Sequence, residues 1–129
     1  MNSSDIITLA AGVLLIGWIL YTRRPRVPLA EAQAAIKSGA AVLIDVREPA
    51  EWRGGMAAEA HGLPLSDLSG DRTAWKPFLE AHPKRRFFLY CQSGARSSLA
   101  ARRLQREGID AVNVGSFRAW RRSGWPVKI

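Results

Sequence analysis

Cysteine appears once in the 129 residues, at position 91, and histidine twice, at positions 61 and 82. One cysteine excludes an internal disulfide framework and any multi-cysteine zinc or iron–sulfur site. Two histidines add too few soft donors for a structural metal, so neither a metal nor a cofactor is expected. Negative charge is also scarce: 11 Asp and Glu stand against 19 Lys and Arg, a formal net charge of +8 at pH 7. Repeats and low-complexity tracts are missing, and 47% hydrophobic with 23% charged residues is an ordinary globular composition, which excludes wholesale disorder. The length supports one small domain. The basic excess points to something anionic as a partner, whether a small anion, a phospholipid surface or nucleic acid.

Charge is lacking altogether from Ile6 to Thr22, a run fenced by Asp5 on one side and Arg23, Arg24 and Arg26 on the other. Its length as a helix is about 25 Å, the short end of what crosses a hydrocarbon core of about 30 Å. Trp18 and Tyr21 lie towards the basic end, where amphipathic rings prefer the headgroup region. A cleaved signal peptide would need a basic start and a small-x-small cleavage site, and neither MNSSD nor YTRRPR supplies them. A buried core helix would show polar positions at helical spacing. Residues 1–22 are therefore expected to be an N-terminal transmembrane anchor, 23–28 a short, stiff juxtamembrane linker and 29–129 the folded domain. The arginines make the chain a single-pass protein of the cell inner membrane with its domain facing the cytoplasm. The bilayer, held through residues 6–22, is then a partner, and the basic linker adds attraction to anionic lipid.

Beyond the linker, apolar residues at Leu29, Ala32 and Ile36 predict a helix closed by Gly39. The run Ala41–Val46 predicts a strand covered on both faces, as in a parallel sheet. Pro49–Arg53 predicts a short helix ended by Gly54 and Gly55, and Thr73–Ala81 another, closed by His82 and Pro83. Phe87–Tyr90 predicts a second strand, with Cys91 at its carboxyl end. Ala95–Glu107 predicts a helix with Leu99, Ala100 and Leu104 inward and Arg102, Arg103 and Arg106 outward. Gly108 is placed for a Schellman cap that packs Ile109 on Leu104. Ala111–Val114 predicts a third strand and Phe117–Arg122 a last helical turn. Strands alternating with helices on short connections define an α/β domain with a mainly parallel sheet flanked by helices.

Ligands of open α/β sheets bind beyond the carboxyl ends of the strands. The loop Cys91-Gln92-Ser93-Gly94-Ala95-Arg96-Ser97 occupies such a place, between a strand and a helix. Gly94 lets the backbone curl so that successive N–H groups form a nest around an anion, and the helix start adds unpaired N–H groups and positive dipole. A thiol in that position loses its proton more readily than a free cysteine. Arg96 adds positive charge at the rim. The pattern describes an anion cradle with a sulfur nucleophile at its floor. It equally describes a buried structural cysteine ahead of a helix, because free cysteine is among the most buried residue types.

Three motifs in order carry a family resemblance: Asp45-Val46-Arg47-Glu48; the Cys-x-x-Gly-x-Arg-Ser loop from Cys91 to Ser97; and Gly115-Ser116-Phe117-Arg118-Ala119-Trp120 with Gly124-Trp125-Pro126-Val127. Together they resemble the single-domain rhodanese family over about residues 27–129. The resemblance implies a sulfurtransferase of the thiosulfate type. Cys91 takes the outer sulfur of a donor such as thiosulfate, becomes a persulfide, and passes the sulfur to cyanide or a thiol, with Gln92, Ser93, Gly94, Ala95, Arg96 and Ser97 as the binding loop. From Cys91 to Arg96 the loop has six residues, the rhodanese length, whereas the similar Cdc25-type phosphatases and arsenate reductases use a longer one. A membrane-tethered persulfide carrier or sulfide-binding module with little turnover is the first alternative, and a membrane or sulfur-relay protein would then be a partner; a Cdc25-like phosphatase or arsenate reductase is the second, disfavoured by the loop length. Asp45 and Arg47 stand near the active loop in the family, either as a charge pair bracing it or as a plain salt bridge at a strand end, with Arg47 as a contact to the donor anion the further reading.

Where the family usually reads Gly-His-Ile-Pro-Gly-Ala before an Ile-Pro-Leu strand, this chain has Gly55-Met56-Ala57-Ala58-Glu59-Ala60, with Leu63-Pro64-Leu65 recovering the pattern. Met56 thus replaces a histidine and Glu59 a glycine. His61 reads as a surface or loop residue and His82 as a turn residue. Trp52, Trp75, Trp120 and Trp125 read as packing, with Trp120 near the active loop. The groups Lys84-Arg85-Arg86 and Arg118, Arg121, Arg122 lack the aromatic interleaving of single-strand binders, so nucleic acid is not expected as a partner.

Overall fold

The computed structural model describes residues 2–23 and 27–129, so Arg24, Pro25 and Arg26 of the expected linker lie outside the described residues. The first element, α1 (Ser3–Arg23), is a helix of 21 residues, about 31 Å long and so long and apolar enough to cross a membrane. Its apolar side chains, from Ile6 (53% exposed) through Leu14 (74%) to Leu20 (62%), are packed into neither core.

The rest alternates as the apolar runs require. In order come α2 (Leu29–Lys37), β1 (Ala41–Asp45), α3 (Pro49–Trp52), β2 (Met56–Ala57), β3 (His61–Gly62), α4 (Leu65–Ser69) and α5 (Trp75–Ala81). They are followed by β4 (Arg86–Cys91), α6 (Ala95–Arg106), β5 (Ala111–Ser116), α7 (Phe117–Arg122) and β6 (Val127–Lys128). Four strands form a parallel sheet in the order β3-β1-β4-β5, and β2 pairs antiparallel with β6. This is the rhodanese-like α/β architecture, a central parallel sheet flanked by helices.

Both sheet faces are covered, which is why β1 and β4 read as unbroken apolar runs. Side chains alternate along each strand. Leu43, Phe88 and Tyr90 join one core with Ile36, Phe117, Trp120 and Trp125. Ile44, Phe87, Leu89 and Cys91 join the other with Trp75, Ala100 and Leu104. Trp75, Trp120 and Trp125 are buried, as their reading as packing residues requires, and Trp52 is half-buried. The end of α6 is a Schellman cap: Ile109 N–H donates to the Leu104 carbonyl at 3.0 Å and Gly108 N–H to Gln105 at 3.0 Å.

Three expectations need correction. Leu99 does not point inward; it is 51% exposed on α6, because the covered stripe runs through Ser97, Ala100, Ala101 and Leu104. Leu63–Leu65 does not begin a separate strand. The ladder starts at His61, and Leu63 and Leu65 continue it through N–H bonds to Asp45 and Val46 before α4. His61 lies at the surface, as expected, and opens β3 with its ring tilted on Phe78. The last central strand extends two residues past Val114, because Gly115 (φ 99°) and Ser116 are carried on by a bulge that offsets β5 from β4.

Candidate active site

Cys91 ends β4 with its side chain turned towards α6 and no exposure to solvent. Gly94 follows at φ 92°, a left-handed conformation that turns the chain into α6. That turn aims two amides at the sulfur: Gly94 N–H donates to Cys91 Sγ at 3.0 Å and Ser97 N–H at 3.4 Å. Ser97 Oγ also lies 3.4 Å from Sγ. This hydroxyl has one proton, and its shorter contact is 2.7 Å to Asn113 Oδ1, so the bond to Asn113 holds the oxygen in place beside the sulfur. Asn113 Oδ1 accepts from Gly115 N–H as well, at 3.1 Å. The bulge in β5 and the thiol pocket therefore share one carbonyl. The first turn of the 12-residue α6 adds the positive end of its dipole beside the sulfur.

Arg96 is not the free rim charge its position suggested. Its guanidinium grips Glu51 in a bidentate pair at 2.6 and 2.9 Å. The Arg96 bond, aided by the Glu48 amide, lowers the Glu51 carboxyl to about 2. In turn Glu51, with the Cys91 sulfur as a lesser contributor, raises Arg96. Glu51 also closes a capping box with Glu48 at the start of α3, so it fastens that helix to the loop's second half.

Asp45 and Arg47 form a brace beneath the loop's first half. Both are buried, with 0% and 3% exposure. Arg47 Nη2 donates to Asp45 Oδ2 at 2.7 Å and to the Gly55 carbonyl at 2.7 Å, and its Nε reaches both carboxylate oxygens at 3.0 Å. Its Nη1 lies 3.4 Å from Gln92 Oε1, and its guanidinium sits 4.3 Å from the Phe117 ring centroid. Burial opposes the charge on Arg47, but its bonds to Asp45 outweigh that and raise its pKa. With its donors engaged in this way, Arg47 has the geometry of a positioning residue. Tyr90 completes the brace: its hydroxyl accepts from Ala57 N–H at 2.9 Å, and burial beside Asp45 pushes the phenol up.

Of the residues singled out in the sequence, Cys91, Gly94 and Ser97 converge on the sulfur, Gln92 meets the Arg47 brace, and Ala95 opens α6. Gln92 and Ser93 are exposed and line a cleft of about 860 Å³ with Ser116, Phe117, Arg118, Arg121 and Arg122. His61 and His82 pack around Phe78 rather than on the Cys91 loop. Trp120 packs under Tyr90 and donates to the Val114 carbonyl, so it supports the sheet below the loop. Sequence reasoning missed Glu51, Tyr90 and Asn113. Asn113 did carry a signal, since a polar residue inside the run Ala111–Val114 requires a buried partner.

The sequence profile of the rhodanese-like domain matches residues 28–123. A sulfurtransferase of Allochromatium vinosum is 38% identical over 95 residues, covering 67% of this chain and 77% of that protein. The crystal structure of a rhodanese-related protein from Thermoplasma volcanium superposes with a TM-score of 0.67 at 31% identity, covering 79% of this chain and 95% of the other. The human single-domain sulfurtransferase TSTD1 is similar at 28% identity and a TM-score of 0.63, covering 74% and 94%. With three-quarters of its length under one profile, the chain belongs to the rhodanese-like domain family.

Proposed function

We propose that this chain is a membrane-anchored sulfurtransferase that carries sulfane sulfur on Cys91. The observation that supports this most directly is the Cys91 sulfur held between the amides of Gly94 and Ser97 at the start of α6. The Cys91 thiolate attacks the outer sulfur of thiosulfate. A bond forms between Sγ and that sulfur while the thiosulfate S–S bond breaks, and sulfite leaves with the electron pair. The terminal sulfur of the persulfide carries negative charge, and the same two amides offset it. In the second half, cyanide or a thiolate attacks the terminal sulfur and Cys91 departs as thiolate, giving thiocyanate or a hydropersulfide. No net oxidation of the protein occurs, and the order is ping-pong. Asp45, Arg47 and the Arg96–Glu51 pair keep the loop's shape without touching the reacting sulfur.

The test is the intact mass of the full chain in an uncharged detergent, before and after thiosulfate. A gain of one sulfur atom, absent in Cys91→Ala and removed by cyanide, is expected. No gain with thiosulfate or with an organic persulfide would overturn the reading.

In the same reading α1 is the anchor, the division into 1–22, 23–28 and 29–129 is retained, and the arginines after α1 hold the domain on the cytoplasmic side of the inner membrane. The support is α1's length and the exposure of its apolar side chains from Ile6 to Trp18.

A further inference from the structure

The cleft beside the Cys91 loop is far larger than the donor requires. Thiosulfate has five heavy atoms, whereas a volume of about 860 Å³ falls in the range of roughly 300–1,000 Å³ that takes drug-sized ligands. Both substrates of a ping-pong transfer must reach the same sulfur, so the opening is shaped by the larger one. In transfer from thiosulfate to an organic thiol that is the acceptor.

The wall of the cleft states what that acceptor carries. Arg118, Arg121 and Arg122 all come from α7, at spacings of three and four residues that place them on one face of the helix. All three are exposed, and none has a carboxylate within ion-pair distance among the described residues. The contrast with the loop's other arginines is sharp: Arg47 is tied to Asp45 and Arg96 to Glu51. Arg121 is partly oriented, its guanidinium lying 5.6 Å from the Phe117 ring centroid. Gln92, Ser93 and Ser116 add polar groups to the same wall, while the apolar Phe117 is buried. Three unneutralised forks, each able to take a carboxylate or phosphate bidentately, suit a ligand with more than one negative charge. Polar surface predominates in the lining.

We propose that Arg118, Arg121 and Arg122 form the acceptor subsite and select a low-molecular-weight thiol bearing at least two negative charges, its anionic groups on α7 and its sulfur directed at Cys91. This rests on Cys91 as the sulfur carrier, and on α7 as the specificity element beside it.

The test separates the two. Binding is measured by calorimetry on the full-length Cys91→Ser chain in an uncharged detergent, with two probe pairs. Mercaptosuccinate is set against thioglycerol, and 4′-phosphopantetheine against pantetheine. Each charged probe is expected to bind at least tenfold more tightly than its uncharged counterpart. Arg121→Ala and Arg118→Ala, each in the Cys91→Ser chain, should weaken the charged probes about tenfold. Arg106→Ala, an equal loss of charge on α6 outside this cleft, controls for bulk electrostatics and should leave the charged-to-uncharged ratio in place. Preference for only the first or only the second pair identifies the anionic group as carboxylate or phosphate. Turnover with intact Cys91 then reads the same residues as a rise in KM for the charged acceptor, larger by fivefold or more than for thioglycerol. Equal binding of charged and uncharged probes, or an equal effect of Arg106→Ala and Arg121→Ala, overturns the subsite. A missing mass gain with both thiosulfate and an organic persulfide overturns the sulfur-carrier reading, while the calorimetric result still decides whether the cleft selects dianions.

Discussion

Asn113 holds more of the site together than its size suggests. Its carbonyl oxygen accepts from the Ser97 hydroxyl and from the amide of Gly115, so it joins the start of α6 to the bulge of β5. Asn113→Ala leaves both donors buried without that acceptor. The expected cost is about 1–3 kcal/mol, seen as a lower urea midpoint with unchanged slope, together with slower persulfide formation because Ser97 loses its fixed place beside the sulfur. Glu59 is a second residue with a measurable consequence. It sits at φ 73°, in the left-handed region where the family usually has glycine. Glu59→Gly should relieve strain of about 1–2 kcal/mol, partly offset by the greater freedom of the unfolded chain. A rise of a few degrees in Tm is the expected result, and a fall would show that Glu59 is held there by interactions worth more than the strain. Glu51 sets the acid limit. Its carboxyl is lowered to about 2 from 4.5, so the stability it contributes is present above pH 4.5 and is lost as pH falls from there through about 2. The carboxylate is one-third exposed, and screening reduces that contribution to about 1 kcal/mol. In Glu51→Gln the fall in Tm between pH 4.5 and 2 should be shallower than in the unaltered chain.

Among the elements, what was legible in the sequence was local. The strand–Cys–Gly–helix signature from Phe87 to Ser97 lies within one stretch of chain, and its backbone pattern follows from residue types at fixed offsets. The same holds for the α6 cap at Gly108 and Ile109. What was not legible came from far along the chain. Glu51 meets Arg96 across 45 positions, and Tyr90 meets Ala57 across 33, pairings that no helical or strand period encodes. Leu99 failed for a related reason: on α6 two candidate apolar stripes exist, and only the sheet decides which is covered. The element β3 shows how contacts between distant segments fix a short strand. Gly62 lies under Trp52, and a Cβ there would come 2.6 Å from the indole ring. Gly62→Ala should therefore displace Trp52 or β3 and cost about 1–3 kcal/mol by urea denaturation, with β1 losing its edge partner. An unchanged midpoint would mean that Trp52 moves freely, against its half-buried place.

At the scale of the whole molecule the chain divides its character sharply. All 19 Lys and Arg follow Thr22, whereas the helix before them has Asp5 as its only charged side chain up to that point. An exposed apolar helix of 21 residues costs free energy in water at about 25 cal/mol per Å² of apolar surface, so it seeks a nonpolar medium. Basic residues directly after it resist translocation and orient the span. These two features support the proposed topology, which is testable apart from the chemistry. In inverted inner-membrane vesicles the domain should be digested by added protease, while in intact spheroplasts it should be protected. Carbonate washing should leave the full chain in the pellet, and a chain lacking residues 1–22 should appear in the soluble fraction. Mature protein starting after Thr22 would instead identify the helix as a cleaved leader. Charge reversal at Arg23, Arg24 and Arg26 is the sharper probe, because it alters orientation without shortening the helix. If the protease pattern stays as before, the arginines do not set the topology, and their excess would then belong to the domain's contact with anionic lipid or anionic substrate.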